Sequence, residues 1–194
     1  RMIRIAILAS GNGSNAENLI LQQPSELLQY PLIITDNAQA GVLQRAERLG
    51  VATHVFRRTD FREGTAVLQL LQDEKIDAIV LAGFLSRIPQ NIVEHYPSRI
   101  INIHPALLPR FGGKGMYGHF VHEAVLAAGE VVSGITIHYV DAEYDHGSTL
   151  CQATCPVYPS VDTPDSLAER IHHLEHLYYP VAVRQMVQRM KEEI

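Results

Sequence analysis

The stretch IINIHPALLP, residues 100–109, ends an apolar run with an asparagine and a histidine two positions apart and then closes it with proline. In an extended strand alternate residues face the same way, so Asn102 and His104 project together while Ile101 and Ile103 project oppositely. Two polar groups thus share one outlet, either for chemistry or for capping the strand end. Further on, YVDAEYDHGSTL crowds Asp141, Glu143 and Asp145 into a loop. A carboxylate beside an imidazole is a standard way of tuning its proton affinity, which points to proton handling by His104 with one of these carboxylates.

A second cluster lies in ASGNGSNAE, residues 9–17. Gly11 and Gly13 allow a tight turn and close approach of a ligand, and the backbone N–H groups of a helix start, with the Ser14 hydroxyl and Asn15 amide, suit an anion such as phosphate. The pattern Gly11-x-Gly13-x-x-Ala16, with Asp36 closing the second strand, also satisfies the dinucleotide fingerprint, so a nicotinamide-dependent oxidoreductase stays open at this point. A plain glycine turn capped by Ser14 is the bland alternative.

The elements that must position these groups alternate along the chain. Short apolar runs (IRIAILAS, PLIITD, ATHVFR, DAIVLAG, RIINIH) are separated by amphipathic stretches (NAENLILQQ, AGVLQRAERLG, FREGTAVLQLLQDE, QNIVEHY). This rhythm predicts an α/β, Rossmann-like fold: a mostly parallel sheet of about seven strands flanked by helices, with an antiparallel strand in the C-terminal half. Such sheets bind ligands outside the carboxyl ends of their strands, so the glycine loop and the Asn102/His104 outlet are expected to share one crevice. A single domain over residues 1–194 is expected, with an N-terminal phosphate-binding half to about residue 100. The closing helix should start near Pro164, capped by Asp162 or Thr163, and Pro180 should kink or interrupt it.

The 194 residues are 46% hydrophobic and 19% charged, with a formal net charge of -5. Without a Lys/Arg block, nucleic acid held by phosphate neutralisation is not expected, and small molecules are the expected partners. No apolar run approaches the roughly 18 residues of a membrane span. Cys151 and Cys155 form neither a CxxC nor a disulfide framework and read as reduced. No secretory signal precedes the first strand, so a cytoplasmic location is expected.

In order and over nearly the whole chain, LASGNGSN, VLAGFLSRIP, INIHPALLP, HYVDAEYDHG and EHLYYPVAV resemble the phosphoribosylglycinamide formyltransferase family of folate-dependent formyltransferases. The resemblance implies transfer of a formyl group from 10-formyltetrahydrofolate to the amine of glycinamide ribonucleotide, in purine biosynthesis, without a metal. It implies that Asn102 donates to the oxyanion, that His104 stabilises the same charge and manages the proton, and that Asp145 holds the imidazole. Gly13, Ser14 and Asn15 match the family's phosphate loop, and Glu175 matches a glutamate that holds the ribonucleotide; taken alone, Glu175 reads as an exposed helix carboxylate.

On the folate side the resemblance points to the 101–194 half with Arg62, Leu85, Ser86, Arg87, Ile88, Asn102, Ala142 and Glu143. FLSRIP stands where many members read FMRIL, which displaces Arg87 by one position and favours backbone contacts from this segment. Four glycines between Gly112 and Gly118 suggest a loop able to close over substrates. His119 and His122 read as partly exposed loop and helix-start residues, His138 as facing the crevice, and His172, His173 and His176 as helix decoration. A 10-formyltetrahydrofolate hydrolase remains the alternative activity, and a homodimer is left open.

Overall fold

The computed structural model describes residues 1–24, 26–141 and 147–193. In chain order the elements are β1 (Ile3–Leu8), α1 (Ser14–Leu21), β2 (Leu28–Thr35), α2 (Val42–Leu49), β3 (Ala52–Val55), α3 (Asp60–Glu63), α4 (Thr65–Asp73), β4 (Ala78–Leu81), α5 (Gln90–His95), β5 (Ile100–His104), α6 (His119–Ala127), β6 (Val132–Tyr139), β7 (Thr149–Pro156) and α7 (Pro164–Glu192). The strands form one sheet in the order β3-β2-β1-β4-β5-β6-β7. Pairing is parallel from β3 through β5, whereas β6 is antiparallel to both neighbours. The expected seven-stranded α/β sheet with one reversed strand is the architecture observed.

Strand alternation divides the core into two layers. Ile3, Ile5 and Ile7 of β1, with Ala78 and Val80 of β4, pack beneath α1, α2, α6 and α7. Ala6, Leu8, Ile79 and Leu81 face the opposite way, onto Phe61, Val67, Leu71 and Ile92 of α3, α4 and α5. Each fully buried Ile or Leu contributes about 1.5–3 kcal/mol from removal of its side chain from water. Because both faces are covered, a polar side chain inside a strand needs a hydrogen-bond partner, and unpartnered ones belong at strand ends, where β5 carries Asn102 and His104.

Three local expectations are revised. FREGTAVLQLLQDE is two helices, not one, because Gly64 adopts φ 76 between them, and a Cβ there would lie 2.4 Å from Asn91 Oδ1. β2 begins at Leu28, and the β1–β2 register shifts across Tyr30–Pro31, where proline has no N–H for the ladder.

The third concerns α7, which runs through Pro180 without a break. Pro180 cannot donate to the carbonyl four residues earlier, that of His176. The Asn18 Nδ2 amide donates to that carbonyl instead, at 2.9 Å, and so ties α1 to α7. The predicted cap at Thr163 holds: its hydroxyl accepts from Ser166 N at 3.1 Å, and Ser166 Oγ accepts from Thr163 N at 2.9 Å.

Replacing Asn18 by Ala should destabilise the protein by about 1–2 kcal/mol by leaving the His176 carbonyl unpaired. In a Pro180→Ala background, where a helical N–H returns, the same change should have a smaller effect; urea unfolding of the four variants measures the coupling.

Candidate active site

The glycine loop leaves β1 and turns into α1 at Gly13, whose φ is 80. A Cβ at this position would lie 2.5 Å from Val42 Cγ2, so the approach of α2 and the left-handed backbone both demand glycine. The loop is braced from α2: Val42 N donates to Gly11 O at 3.0 Å and Arg45 Nε to Asn12 O at 2.6 Å. Ser14 N donates to Asn12 Oδ1 at 2.9 Å, closing the turn on itself.

Asn15 reaches across to α7, where its Nδ2 donates to Glu175 Oε1 at 3.2 Å. Glu175 is buried, at 5% exposure, so the reading of it as an exposed helix carboxylate is set aside. His172 Nδ1 lies 2.9 Å from the same oxygen, and this hydrogen bond raises the His172 pKa. Thus His172 does more than decorate the helix. The Oδ1 of Asn15, the Nδ1 of His122 and the Nε2 of His176 are buried without a protein partner among the described residues. Such atoms are unusual in a folded protein, and here they gather around one loop.

On the neighbouring strands Asn102 stands opposite His138 and His104 opposite Thr136. Asn102 Nδ2 is 3.3 Å from His138 Nε2, and His138 Nδ1 is 3.0 Å from the carbonyl of Tyr139. A carbonyl can only accept, so the His138 proton sits on Nδ1 and Nε2 accepts from Asn102. This leaves the second N–H of the Asn102 amide for another acceptor. By the same reasoning His104 donates from Nε2 to Phe111 O, at 2.8 Å. Phe111 holds φ 57 and belongs to the glycine-rich segment, so that segment orients the imidazole. Thr136 fixes the turn after β5: its hydroxyl donates to Ala106 O at 2.8 Å and accepts from Leu108 N at 3.0 Å.

A cavity of about 880 Å³ opens beside Asn102 and His138. Of the positions expected on the folate side, Arg62, Leu85, Ser86, Arg87, Ile88 and Asn102 all line it. The lining comes from both halves of the chain, not from the C-terminal half alone. Ala142, Glu143 and the third catalytic candidate, Asp145, lie outside the described residues. Asp36 has a different place from the one a dinucleotide fold requires: its two carboxylate oxygens accept the hydroxyls of Ser10, at 2.6 Å, and Ser86, at 2.5 Å. The carboxylate is thus engaged by protein hydroxyls and buried, not turned toward a ribose diol, which counts against the nicotinamide reading.

The formyl transferase family profile matches residues 3–183. The chain belongs to the formyl transferase family. Among the relatives of the chain, a chloroplastic phosphoribosylglycinamide formyltransferase of Arabidopsis thaliana is 39% identical over 92% of the chain and 63% of its own length. A Vigna unguiculata counterpart is covered over 59% of its length, so the chain spans about three fifths of these plant relatives. The phosphoribosylglycinamide formyltransferase of Bacillus subtilis is 33% identical, with 96% of the chain and 95% of the relative covered. A crystal structure of the Brucella melitensis phosphoribosylglycinamide formyltransferase superposes with a TM-score of 0.86 at 39% identity, covering 96% of both chains.

Two features of the chain depart from or go beyond the sequence-based expectations. His122 is not a partly exposed helix-start residue but is buried, at 3% exposure. Burial lowers its pKa, and the nearby charges of His172, Glu175 and His104 also act on it. Its position within the apolar face of a helix was the available signal. The Asp36–Ser10–Ser86 network had no local signal, since its members are scattered through the chain. His119 stays exposed near Glu123. Among the described residues no helix is long and apolar enough to cross a membrane.

Because the folded pKa of His122 lies below its ordinary value of 6.5, its neutral form contributes stability that is present above that value. That stability is lost as pH falls toward the depressed folded value. Melting temperatures at about pH 7.5 and about pH 5.5 should therefore differ more for the unaltered protein than for His122→Gln.

Proposed function

We propose that this chain transfers the formyl group of 10-formyltetrahydrofolate to the amine of 5-phosphoribosylglycinamide in de novo purine biosynthesis. The observation that carries the reading is the convergence at one end of the sheet of a glycine loop joined to Glu175 with a cleft floored by Asn102. One side offers an anion cradle and a buried carboxylate suited to a phosphorylated amine. The other fits a folate: a cleft of about 880 Å³ is in the range of small-molecule sites, with Leu81, Phe84, Ile88 and Val93 for a flat ring and Asn102 and His138 at its polar edge. Arg62, exposed at the cleft wall, suits a tail carboxylate.

The folate supplies an activated formyl group. Gly13, Ser14 and Asn15 hold the phosphate, and Glu175 with Asn15 directs the amine at the formyl carbon. As the new C–N bond forms, negative charge gathers on the formyl oxygen, where the second N–H of Asn102 donates. His138 keeps that carboxamide turned the right way. His104 shares in stabilising the charge and relays the proton that the attacking amine gives up to the departing folate nitrogen as its C–N bond breaks, with Asp145 holding the imidazole. The amine attacks directly, so no enzyme nucleophile is required, and positioning of the two substrates supplies much of the acceleration. We read residues 1–194 as one such domain, acting in the cytoplasm on small molecules, with a homodimer compatible.

The test is formyl transfer to glycinamide ribonucleotide by the purified chain. Asn102→Ala should lower kcat about 10²–10³-fold, the effect of removing one oxyanion donor. His104→Ala should lower kcat without raising the KM of either substrate in proportion, and Glu175→Gln should raise mainly the KM of the ribonucleotide. Formate release without transfer would instead establish the hydrolase, and full activity of the Asn102 and His104 variants would remove the mechanism.

A further inference from the structure

We propose that Asp36 is a positioning residue that fixes the folate side of the cleft, holding the segment 83–88 in its working shape. The inference rests on the formyl-transfer reading for its functional consequence but on geometry for its substance. Asp36 directly follows β2, and its side chain is fully buried. One oxygen accepts Ser10 Oγ at 2.6 Å and the other accepts Ser86 Oγ at 2.5 Å. Ser10 Oγ in turn accepts from Leu85 N at 2.8 Å, while Ser10 N donates to Gly83 O at 3.1 Å.

The cleft wall is thereby stitched to the ends of β1 and β2 through one carboxylate. The segment needs this. Residues 84–88 belong to neither helix nor strand, Gly83 sits at φ 69, and Leu85 is 51% exposed, so between the core contacts of Phe84 and Ile88 the backbone at Leu85 and Ser86 has little burial to hold it. Two hydroxyl donors converging from different elements require an acceptor at each end, which a carboxylate provides and a carboxamide does not. The Arg58 Nε, 4.0 Å from Asp36 Oδ2 at the cleft rim, offsets part of the buried charge. Ser10 immediately precedes Gly11, so the same network also joins the phosphate loop to the folate wall.

The experiment has two arms on Asp36→Asn, Ser86→Ala, Ser86→Thr and the Asp36→Asn/Ser86→Ala double variant. In amide hydrogen exchange, Asp36→Asn should speed exchange at Leu85 roughly tenfold or more, with β1 and β4 amides unchanged. In steady-state kinetics, Asp36→Asn and Ser86→Ala should each raise the KM for 10-formyltetrahydrofolate about tenfold. The KM for the ribonucleotide should stay within about twofold, the double variant should be no worse than Asp36→Asn alone, and Ser86→Thr should restore most of the loss.

Unaltered exchange at Leu85 would overturn the proposal, and so would faster exchange with an unmoved folate KM or an equal rise in both KM values. An unaltered chain without formyl-transfer activity would end the functional reading and the kinetic arm with it. The exchange arm would still decide whether Asp36 holds the segment.

Discussion

The docking of α7 onto the sheet is the contact on which the site depends. Tyr179 is completely buried, and its hydroxyl donates to Leu81 O at 2.6 Å and lies 3.3 Å from Ile101 O. These carbonyls belong to adjacent parallel strands, so one phenol pins the helix across the strands that end in the cleft wall and in Asn102. Burial pushes the Tyr179 pKa well above its ordinary value, keeping the hydroxyl a donor. Four residues earlier on the same helix, Glu175 is delivered to Asn15.

With the helix held there, Pro180 becomes compatible with an unbroken helix. The carbonyl it cannot serve is taken by Asn18, in the first helix of the chain, and the adjoining turn of that helix carries Asn15. An apparent defect in the helix is thereby a tether between α1, which carries Asn15, and the helix that carries Glu175. Hydrophobic burial drives this packing, and the few hydrogen bonds across it fix the register.

The polar chemistry sits where the apolar construction stops. Strands covered on both faces exclude unpaired polar side chains from their interiors, so Asn102, His104, Ser10 and Asp36 appear only near or just beyond strand ends. Each is then oriented by a neighbour: Asn102 by His138, His104 by the Phe111 carbonyl, and Ser86 by Asp36. These side chains thus take their direction from backbone carbonyls and neighbouring side chains.

The alternation of apolar and polar residues, the glycine turn at Gly13 and the cap at Thr163 are local properties, set by neighbours a few bonds away. The sequence by itself therefore determined the fold class, the strand-end placement of Asn102 and His104, and the glycine turn into α1. The burial of Glu175 and His122, the use of Asp36 and the survival of α7 through Pro180 were decided only by tertiary structure. Each turns on a partner far along the chain: Asn15 to Glu175 spans 160 positions, Asn18 to His176 spans 158 and Ser86 to Asp36 spans 50. Whether a carboxylate meets a hydroxyl, an amide or water depends on which surfaces pack together, and no periodicity in the chain records that.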